Sequence, residues 1–358
     1  MLPGAIVMLA LSLIYALAGH VPLIDALFFG LKSAVLVLVV EALLRIGRRA
    51  LKGQTAWALA AVAFVALFVF KVPFPAMVLA AGLVGYLFPD RFTHAGHGAA
   101  KHDRPALIDA VLDADPGRPT RLAASARKAG AVALVLWAVP VAYLVFATGG
   151  TFADIAWFFS KMAVVTIGGA YAVLAYVAQD AVEAYRWLAP DEMLAGLGLA
   201  ETTPGPLILV LQFVGFLAGF RAPGGLTGVT GGIAGSVLTL WCTFAPCFVF
   251  VFLGAPIIER LQSNTALAGA LAAITASVVG VVGNLAVWFA LHVVFRDHTA
   301  IRLGPASFDL PVPASVDWVA LALAALAALC LFQFKLGVLR TIGIAAGAGL
   351  VVRFAIGM

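Results

Sequence analysis

Hydrophobic positions dominate long stretches of this chain, and polar positions are confined to breaks between them. A helix needs about 20 apolar residues to cross a bilayer, and most of these stretches approach or exceed that length. The pattern therefore predicts an all-α, polytopic membrane protein with about ten membrane segments, some of them broken. The apolar stretches occupy residues 2–17, 23–44, 56–70, 76–88, 130–147, 155–178, 193–220, 224–253, 266–295, 316–334 and 338–354.

One stretch is interrupted at residues 201–206, which read Glu-Thr-Thr-Pro-Gly-Pro. Pro204 and Pro206 lack N–H donors, so one helix ends here and another begins, with Thr202 and Thr203 as predicted N-caps of the second. A broken helix at membrane depth must contact protein or line a wet cavity. Since the new helix N-terminus carries about half a positive charge, we expect an anion site at a discontinuous transmembrane helix.

Basic residues predict which ends of the segments face the cytoplasm. Residues 45–52 carry four positive charges, and the long polar stretch 89–128 is also rich in Lys and Arg. By the positive-inside rule, we expect both to be cytoplasmic. His94, His97 and His102 match no standard metal spacing, so a solvated linker is favoured over a metal site.

Composition excludes several classes of protein. Hydrophobic residues make up 63% of the 358 positions and charged residues 11%, whereas soluble domains carry about 25% charged residues. The net charge of +5 does not indicate nucleic-acid binding, because the basic residues cluster at segment ends. The three cysteines lie in apolar stretches without metal-type spacing, and we expect no cofactor.

The sequence also contains a weak internal repeat. Pro3 aligns with Pro246 at an offset of 246 − 3 = 243, and the same order of apolar stretch, break and apolar stretch follows each proline. Transporters are often built from two such halves in inverted orientation, which we expect here. The first half is incomplete, because Lys161 and the residues leading to Pro246 have no counterpart before Pro3. A start placed too late, a shortened chain and a natural truncation would each explain this.

Two motifs resemble those of the chromate ion transporter (CHR) family. Residues 161–174, with Gly168-Gly169, are similar to its glycine-pair motif, and residues 200–216 are similar to its second motif. The resemblance implies residues 1–88 as the back part of a first chromate-transporter domain and 155–358 as a complete second one. Residues 89–128 would then be the cytoplasmic linker and 129–154 a connecting membrane segment.

The same resemblance implies a multi-pass protein of the bacterial inner membrane that exports chromate, with sulfate as a competitor and a homodimer as a candidate assembly. The membrane potential, a proton gradient or both would drive export. A partner-dependent subunit without transport activity and a transporter for another anion stay open as alternatives. An enzyme is not expected, because no nucleophile with a base and no HExxH or GxSxG pattern is present.

The candidate site residues each have a structural alternative. The glycine pair could contact the anion or pack helices closely, and the threonine hydroxyls could bind oxyanion or bond back to the preceding turn. The intramembrane lysines could be functional or snorkel to the interface, and Glu201 could carry a proton or only cap or pair. The predicted oxyanion-binding residues are Lys32, Lys161, Gly168, Gly169, Tyr171, Thr202, Thr203, Pro204, Gly205 and Pro206, with Glu201 as the proton carrier.

Overall fold

A computed structural model describes residues 1–19, 21–92, 118–165, 169–262, 264–304 and 306–356. Its helices confirm the all-α class, and we number them in chain order. They are α1 Leu2–Ala18, α2 Pro22–Ala50, α3 Gln54–Phe68, α4 Phe74–Leu87, α5 Arg118–Tyr143, α6 Gly150–Val165, α7 Ala170–Ala178, α8 Pro190–Thr202, α9 Val210–Arg221, α10 Gly228–Gln262, α11 Thr265–Val294, α12 Trp318–Ala328 and α13 Val338–Ile356. The glycine-pair motif itself falls partly outside the described residues, between α6 and α7.

Helix length and hydropathy are those of a multi-pass membrane protein. Five helices are long and apolar enough to cross a bilayer: Pro22–Ala50, Ala124–Thr148, Gly228–Gly254, Thr265–Val294 and Val338–Ala355. Shorter apolar helices occupy Leu2–Ala18, Gln54–Phe68, Phe74–Leu87, Leu207–Arg221 and Trp318–Gln333.

Helices α2 and α11 form the centre of the bundle and run antiparallel. Gly47 lies against Val279 and Leu43 against Gly283, so residue numbers rise in opposite directions along the contact. Each of the two helices packs mainly on the last two helices of the other half. Helix α2 packs on α12 and α13, whereas α11 packs on α3 and α4.

Helix boundaries repeat at the offset seen in the sequence. Helix α2 begins at Pro22 and α11 at Thr265, a difference of 265 − 22 = 243. The two halves differ in detail, since Pro3 lies in the first turn of α1 whereas Pro246 lies inside α10.

The polar stretch after α11 forms an antiparallel β-hairpin. Strand β1, His298–Leu303, pairs with β2, Ala306–Pro311. Arg296 donates two hydrogen bonds to Asp317 Oδ2, at 3.1 and 2.8 Å, and so closes the base of this loop. Asp317 also caps α12. Burial alone would raise the pKa of Asp317, but the Ala320 N–H and the Arg296 guanidinium outweigh it and lower that pKa.

Residues 190–221 form a helical hairpin. The start of α8 lies beside the end of α9, because Arg221 Nη2 contacts Glu192 Oε1 at 2.5 Å. Midway along, Gly196 packs against the Phe213 ring. The predicted break is therefore present, but the expectation of one discontinuous helix running across the membrane is wrong. Proline and extended backbone at the break reverse the chain direction, so α9 returns alongside α8.

Helices α6 and α7 form a second hairpin. Phe158 on α6 and Tyr176 on α7 have ring centroids 5.4 Å apart, and the chain reverses between Val165 and Ala170. We call the end of the bundle with Arg45, Arg48 and Arg49 the basic end and the opposite end the distal end. The tip of the α8–α9 hairpin points to the basic end, because α8 runs parallel to α2, from a Lys32–Asp191 contact past Val35 and Gly198.

Candidate functional site

The tip of the α8–α9 hairpin is held by bonds within α8 and by α1. Both threonine hydroxyls donate back to the Leu199 carbonyl, Thr202 at 2.9 Å and Thr203 at 2.7 Å. They end α8 instead of capping the next helix, so the N-cap prediction for Thr202 and Thr203 is wrong. A threonine hydroxyl at the end of a helix can donate to a free carbonyl one turn earlier in the same helix. Its hydrogen bond is then made within that helix, and it does not need to contact the turn that follows.

Residues 204–206 are exposed at this tip, and the next helix begins just after them. Pro206 is extended and makes no side-chain cap before the single turn Leu207–Leu209. The first N–H groups of a helix have no partner within the helix. Helix α1 contacts this turn and the helix after it. Gly4 lies against the Pro204 carbonyl, and Gln212 Nε2 donates to the Ala5 carbonyl at 2.9 Å.

The tip of the α6–α7 hairpin ends in Gly169, which precedes the first turn of α7. Gly169 has φ +106°, in the left-handed region that favours glycine. Among the residues that the structure describes, none apart from its chain neighbours lies within 4 Å of the position a side chain would take. Gly168, the other member of the predicted pair, lies outside the described residues.

The two tips meet. Helix α7 packs against the turn Leu207–Leu209, and Tyr171 Oη donates to Glu201 Oε1 at 3.1 Å. Both of these side chains are half-buried. The fold therefore brings together six of the predicted positions, which are Gly169, Tyr171, Glu201, Pro204, Gly205 and Pro206. We call this group the tip cluster.

Two residues that sequence reasoning missed lie beside the tip cluster. Arg45 and Glu41 of α2 are within electrostatic range of Glu201. They form an ion pair with each other, in which Arg45 Nε donates to Glu41 Oε1 at 3.0 Å. The sequence interpretation used Arg45 only as a marker of membrane orientation. Glu41 was the available signal, because a carboxylate inside an apolar stretch is expensive and usually has a partner.

The predicted lysines lie elsewhere. Lys32 Nζ contacts Asp191 Oδ2 at 2.9 Å. Asp191 and Glu201 are ten residues apart on α8, a rise of about 15 Å, so Lys32 is remote from the tip cluster. Lys161 Nζ lies 4.0 Å from Asp180 Oδ2 and over the rings of Phe158 and Tyr176. Tyr176 is five residues beyond Tyr171, a rise of about 7.5 Å. The structure therefore does not bring Lys32 together with the two tips, and it places Lys161 beside Asp180.

Lys32 faces a cavity of about 680 Å³ at the distal end, lined also by Tyr15, Asp25, Arg186, Asp191, Glu192 and Arg221. Between this distal cavity and the tip cluster, Gly198 of α8 packs tightly on Leu31 and Val35 of α2. Along α8, this contact lies between the distal cavity and the exposed tip. In the described part of the chain, no three His, Cys, Asp or Glu residues are placed to hold a metal ion.

Comparisons with known proteins agree on one family. A family profile described as Chromate transporter matches residues 1–86 and 153–350. A Chromate transport protein of Pseudomonas aeruginosa is 32% identical over 287 residues, which cover 79% of this chain and 60% of that protein. A second Chromate transport protein, from Cupriavidus metallidurans, is 24% identical over 40% of this chain and 33% of its own length.

An uncharacterized transporter of Methanocaldococcus jannaschii is 28% identical over 37% of this chain and 30% of its own length. The chain thus spans 60% or less of the length of each of these relatives. Among solved structures, no significant match is found.

Proposed function

Because this chain belongs to the chromate transporter family, we propose that it moves chromate, or a similar tetrahedral oxyanion such as sulfate, across the membrane. The family consists of transporters and not enzymes. The observation that carries the proposal is the meeting of two half-helix N-termini at the tip cluster. Such N-termini combine free N–H donors with a positive dipole end, which suits an anion in the middle of a membrane.

The tip cluster supplies donors but little fixed positive charge. Gly169 and the turn after Pro206 offer backbone N–H groups, and Arg45 is the cation within electrostatic range of Glu201. A carboxylate at this position repels a dianion unless it is protonated. We propose that Glu201 takes up a proton as the anion is released, so that proton entry and anion exit are linked.

The arrangement of the two halves supports an alternating-access transporter built from an inverted repeat. The equivalent helices α2 and α11 run antiparallel, as members of inverted halves do. Each of the two also packs on helices of the other half, α2 on α12 and α13, and α11 on α3 and α4. Rocking of one half against the other would then expose the site to alternate sides.

The positive-inside rule assigns the basic end to the cytoplasm, and the exposed tip would face it. Loading from the cytoplasm and release at the distal end is export across a bacterial inner membrane. An inside-negative potential of about 100 mV favours outward movement of a dianion by about 4.6 kcal/mol.

The test is accumulation of radioactive chromate in energised inside-out membrane vesicles that carry this chain. We expect uptake that collapses on uncoupling and that is absent from vesicles lacking the chain. Thr202→Trp should abolish uptake, because Thr202 is exposed at the tip and a large ring there fills the space in front of the N–H groups.

Thr275→Trp is the matched control for that variant. Thr275 is also exposed on a helix, and its hydroxyl makes the same kind of back-bond, to Leu271 at 2.7 Å, but on α11. Uptake by Thr275→Trp should stay near the unsubstituted level. Equal uptake by both variants would show that the tip is not on the transport path. If the unsubstituted chain is present in the membrane and takes up no chromate, the proposed function is wrong.

A further inference from the structure

We propose that the distal cavity is a second oxyanion site, anchored by Arg186, which receives the anion after it leaves the tip cluster. The role of this site in transport rests on the proposed function. Its ability to bind an anion does not depend on that function. None of the predicted site residues apart from Lys32 belongs to it.

The charges of the cavity leave one cation unneutralised. Its lining holds three cations, Lys32, Arg186 and Arg221, and three carboxylates, Asp25, Asp191 and Glu192. Each carboxylate already has a basic partner. Lys32 contacts Asp191 at 2.9 Å, Arg221 contacts Glu192 at 2.5 Å, and Arg353, which is outside the lining, contacts Asp25 at 2.6 Å.

Arg186 is the remaining charge. Within the described parts of the chain it makes no ion pair or hydrogen bond, and it is exposed to the cavity. Counting Arg353, the group holds four cations and three carboxylates, so the cavity carries one net positive charge on Arg186. A guanidinium presents a planar fork of N–H donors that matches two oxygens of an oxyanion.

The backbone holds Arg186 in a specific direction. Its φ is +54°, which is uncommon for a residue other than glycine. The neighbouring Trp187 is held in place, since its ring stacks on Tyr185 with centroids 4.4 Å apart and its carbonyl accepts from Arg221 at 2.6 Å. The chain therefore turns Arg186 toward the cavity while both neighbours are held by packing.

The position of the cavity fits an exit site. It lies at the distal end of α8, about 15 Å from Glu201 by helix rise, beyond the Gly198 contact with Leu31 and Val35. A volume of about 680 Å³ is much larger than a tetrahedral oxyanion, so the ion would bind with part of its water shell. Such a site holds the anion weakly and favours release.

The test measures protection of a cysteine by sulfate in purified full-length protein, because chromate itself oxidises thiols. Cys242, Cys247 and Cys330 are first replaced by alanine, and Ala189→Cys then places a thiol in the cavity lining. Sulfate at about ten times its dissociation constant should slow the reaction with a hydrophilic maleimide about tenfold. Potassium chloride of equal ionic strength should leave the rate unchanged.

Two comparisons make the result specific. Ala300→Cys lies exposed on β1, outside the cavity, and should show no protection by sulfate. Adding Arg186→Asn to Ala189→Cys should abolish the protection, whereas Arg186→Lys should retain part of it. Asparagine adopts positive φ readily, so this change removes the charge without straining the backbone.

Protection that is absent from Ala189→Cys, matched by chloride, or unchanged by Arg186→Asn would overturn the proposal. Because labelling requires no transport, a chain that binds sulfate here but moves no chromate would refute the proposed function alone. A chain that moves chromate without protection would refute the second site alone.

Discussion

At the scale of single residues, the tip cluster separates two tasks that the sequence suggested for the same stretch. We expect backbone groups after Gly169 and Pro206 to bind the anion, whereas the hydroxyls of Thr202 and Thr203 already donate to the Leu199 carbonyl. The one ionisable side chain of the turn, Glu201, is held by Tyr171. A variant of Glu201 therefore tests coupling without removing the N–H groups that we expect to bind the anion.

Glu201→Gln should uncouple chromate movement from the proton gradient. Glutamine keeps an oxygen that can accept from Tyr171 but cannot carry a proton at this position. The measurement uses inside-out vesicles with an acidic lumen and the unsubstituted chain. For each coupled proton, the ratio of chromate inside to chromate outside should rise about tenfold per pH unit of difference across the membrane. The variant should lose this dependence and retain the dependence on membrane potential.

Tyr171→Phe is the control for that variant, because it removes the hydrogen bond and keeps the carboxyl group. It should retain the pH-gradient dependence. A gradient dependence that survives in Glu201→Gln would exclude Glu201 as the carrier.

Gly169→Ala should destabilise the α6–α7 tip through backbone strain and not through a clash. Its φ of +106° is unfavourable for any side chain, although the space around it is open. We expect a loss of about 1–3 kcal/mol, measured as lower stability to denaturant in detergent, together with weaker sulfate binding. Gly343→Ala, in equally open space inside α13, should leave both unchanged or raise stability. Equal effects of the two changes would contradict the assignment of strain to Gly169.

At the scale of elements, apolar length predicted most of the helices. Residues 23–44 and 266–295 were expected as membrane segments and correspond to α2 and α11. The break at residues 201–206 was also predicted, because proline and glycine leave few backbone alternatives. Whether a chain continues or reverses after such a break depends on distant contacts, such as that of Arg221 with Glu192. A local pattern does not contain those contacts.

Part of the site was predictable for the same reason. Gly169 and residues 204–206 carry their backbone requirements in the sequence, so the turns at these positions were predictable. Lys32 and Lys161 were grouped with them because a buried charge indicates function, but it does not indicate where its partner lies. Asp191 and Asp180 supply those partners on other helices or turns. Arg186 had no signal, since the cavity that it lines forms only in the folded chain.

The close packing of α13 on α2 depends on glycine at the helix contact. A Cβ on Gly349 of α13 would lie 2.7 Å from the backbone nitrogen of Gly30 and 2.9 Å from the Ala26 carbonyl of α2. Gly349→Ala should therefore cost about 1–3 kcal/mol, because only the backbone of α2 could move to make room. The measurement is denaturant stability in detergent.

Gly347→Ala is a close control on the same helix. No atom lies within 4 Å of its Cβ position, so the change should be neutral or stabilising by up to about 1 kcal/mol through helix propensity. The two variants are then expected to differ in sign. Similar stability of both would mean that α2 and α13 do not pack as closely as described.

At the scale of the whole molecule, charge at the two ends and a tight contact between them suggest how a dianion would cross. The tip cluster lies toward the basic end, the distal cavity lies at the other, and Gly198 on Leu31 and Val35 separates them. A dianion that passes from one end to the other carries two charges through the membrane field. The membrane potential alone is therefore an energy source, and protons that move inward through Glu201 would add to it.

The dependence of accumulation on potential measures how many charges cross per transport cycle. With the potential of inside-out vesicles set by a potassium gradient and a potassium ionophore, movement of a dianion alone should change the accumulation ratio about tenfold per 30 mV. Exchange for one proton moves three charges, and the change per 30 mV should then be about thirtyfold. Glu201→Gln should convert the steeper dependence to the shallower one, because it removes the proton and leaves the dianion. A ratio independent of potential in both proteins would mean that the anion crosses with its charge fully compensated, which contradicts transport of a free dianion through this bundle.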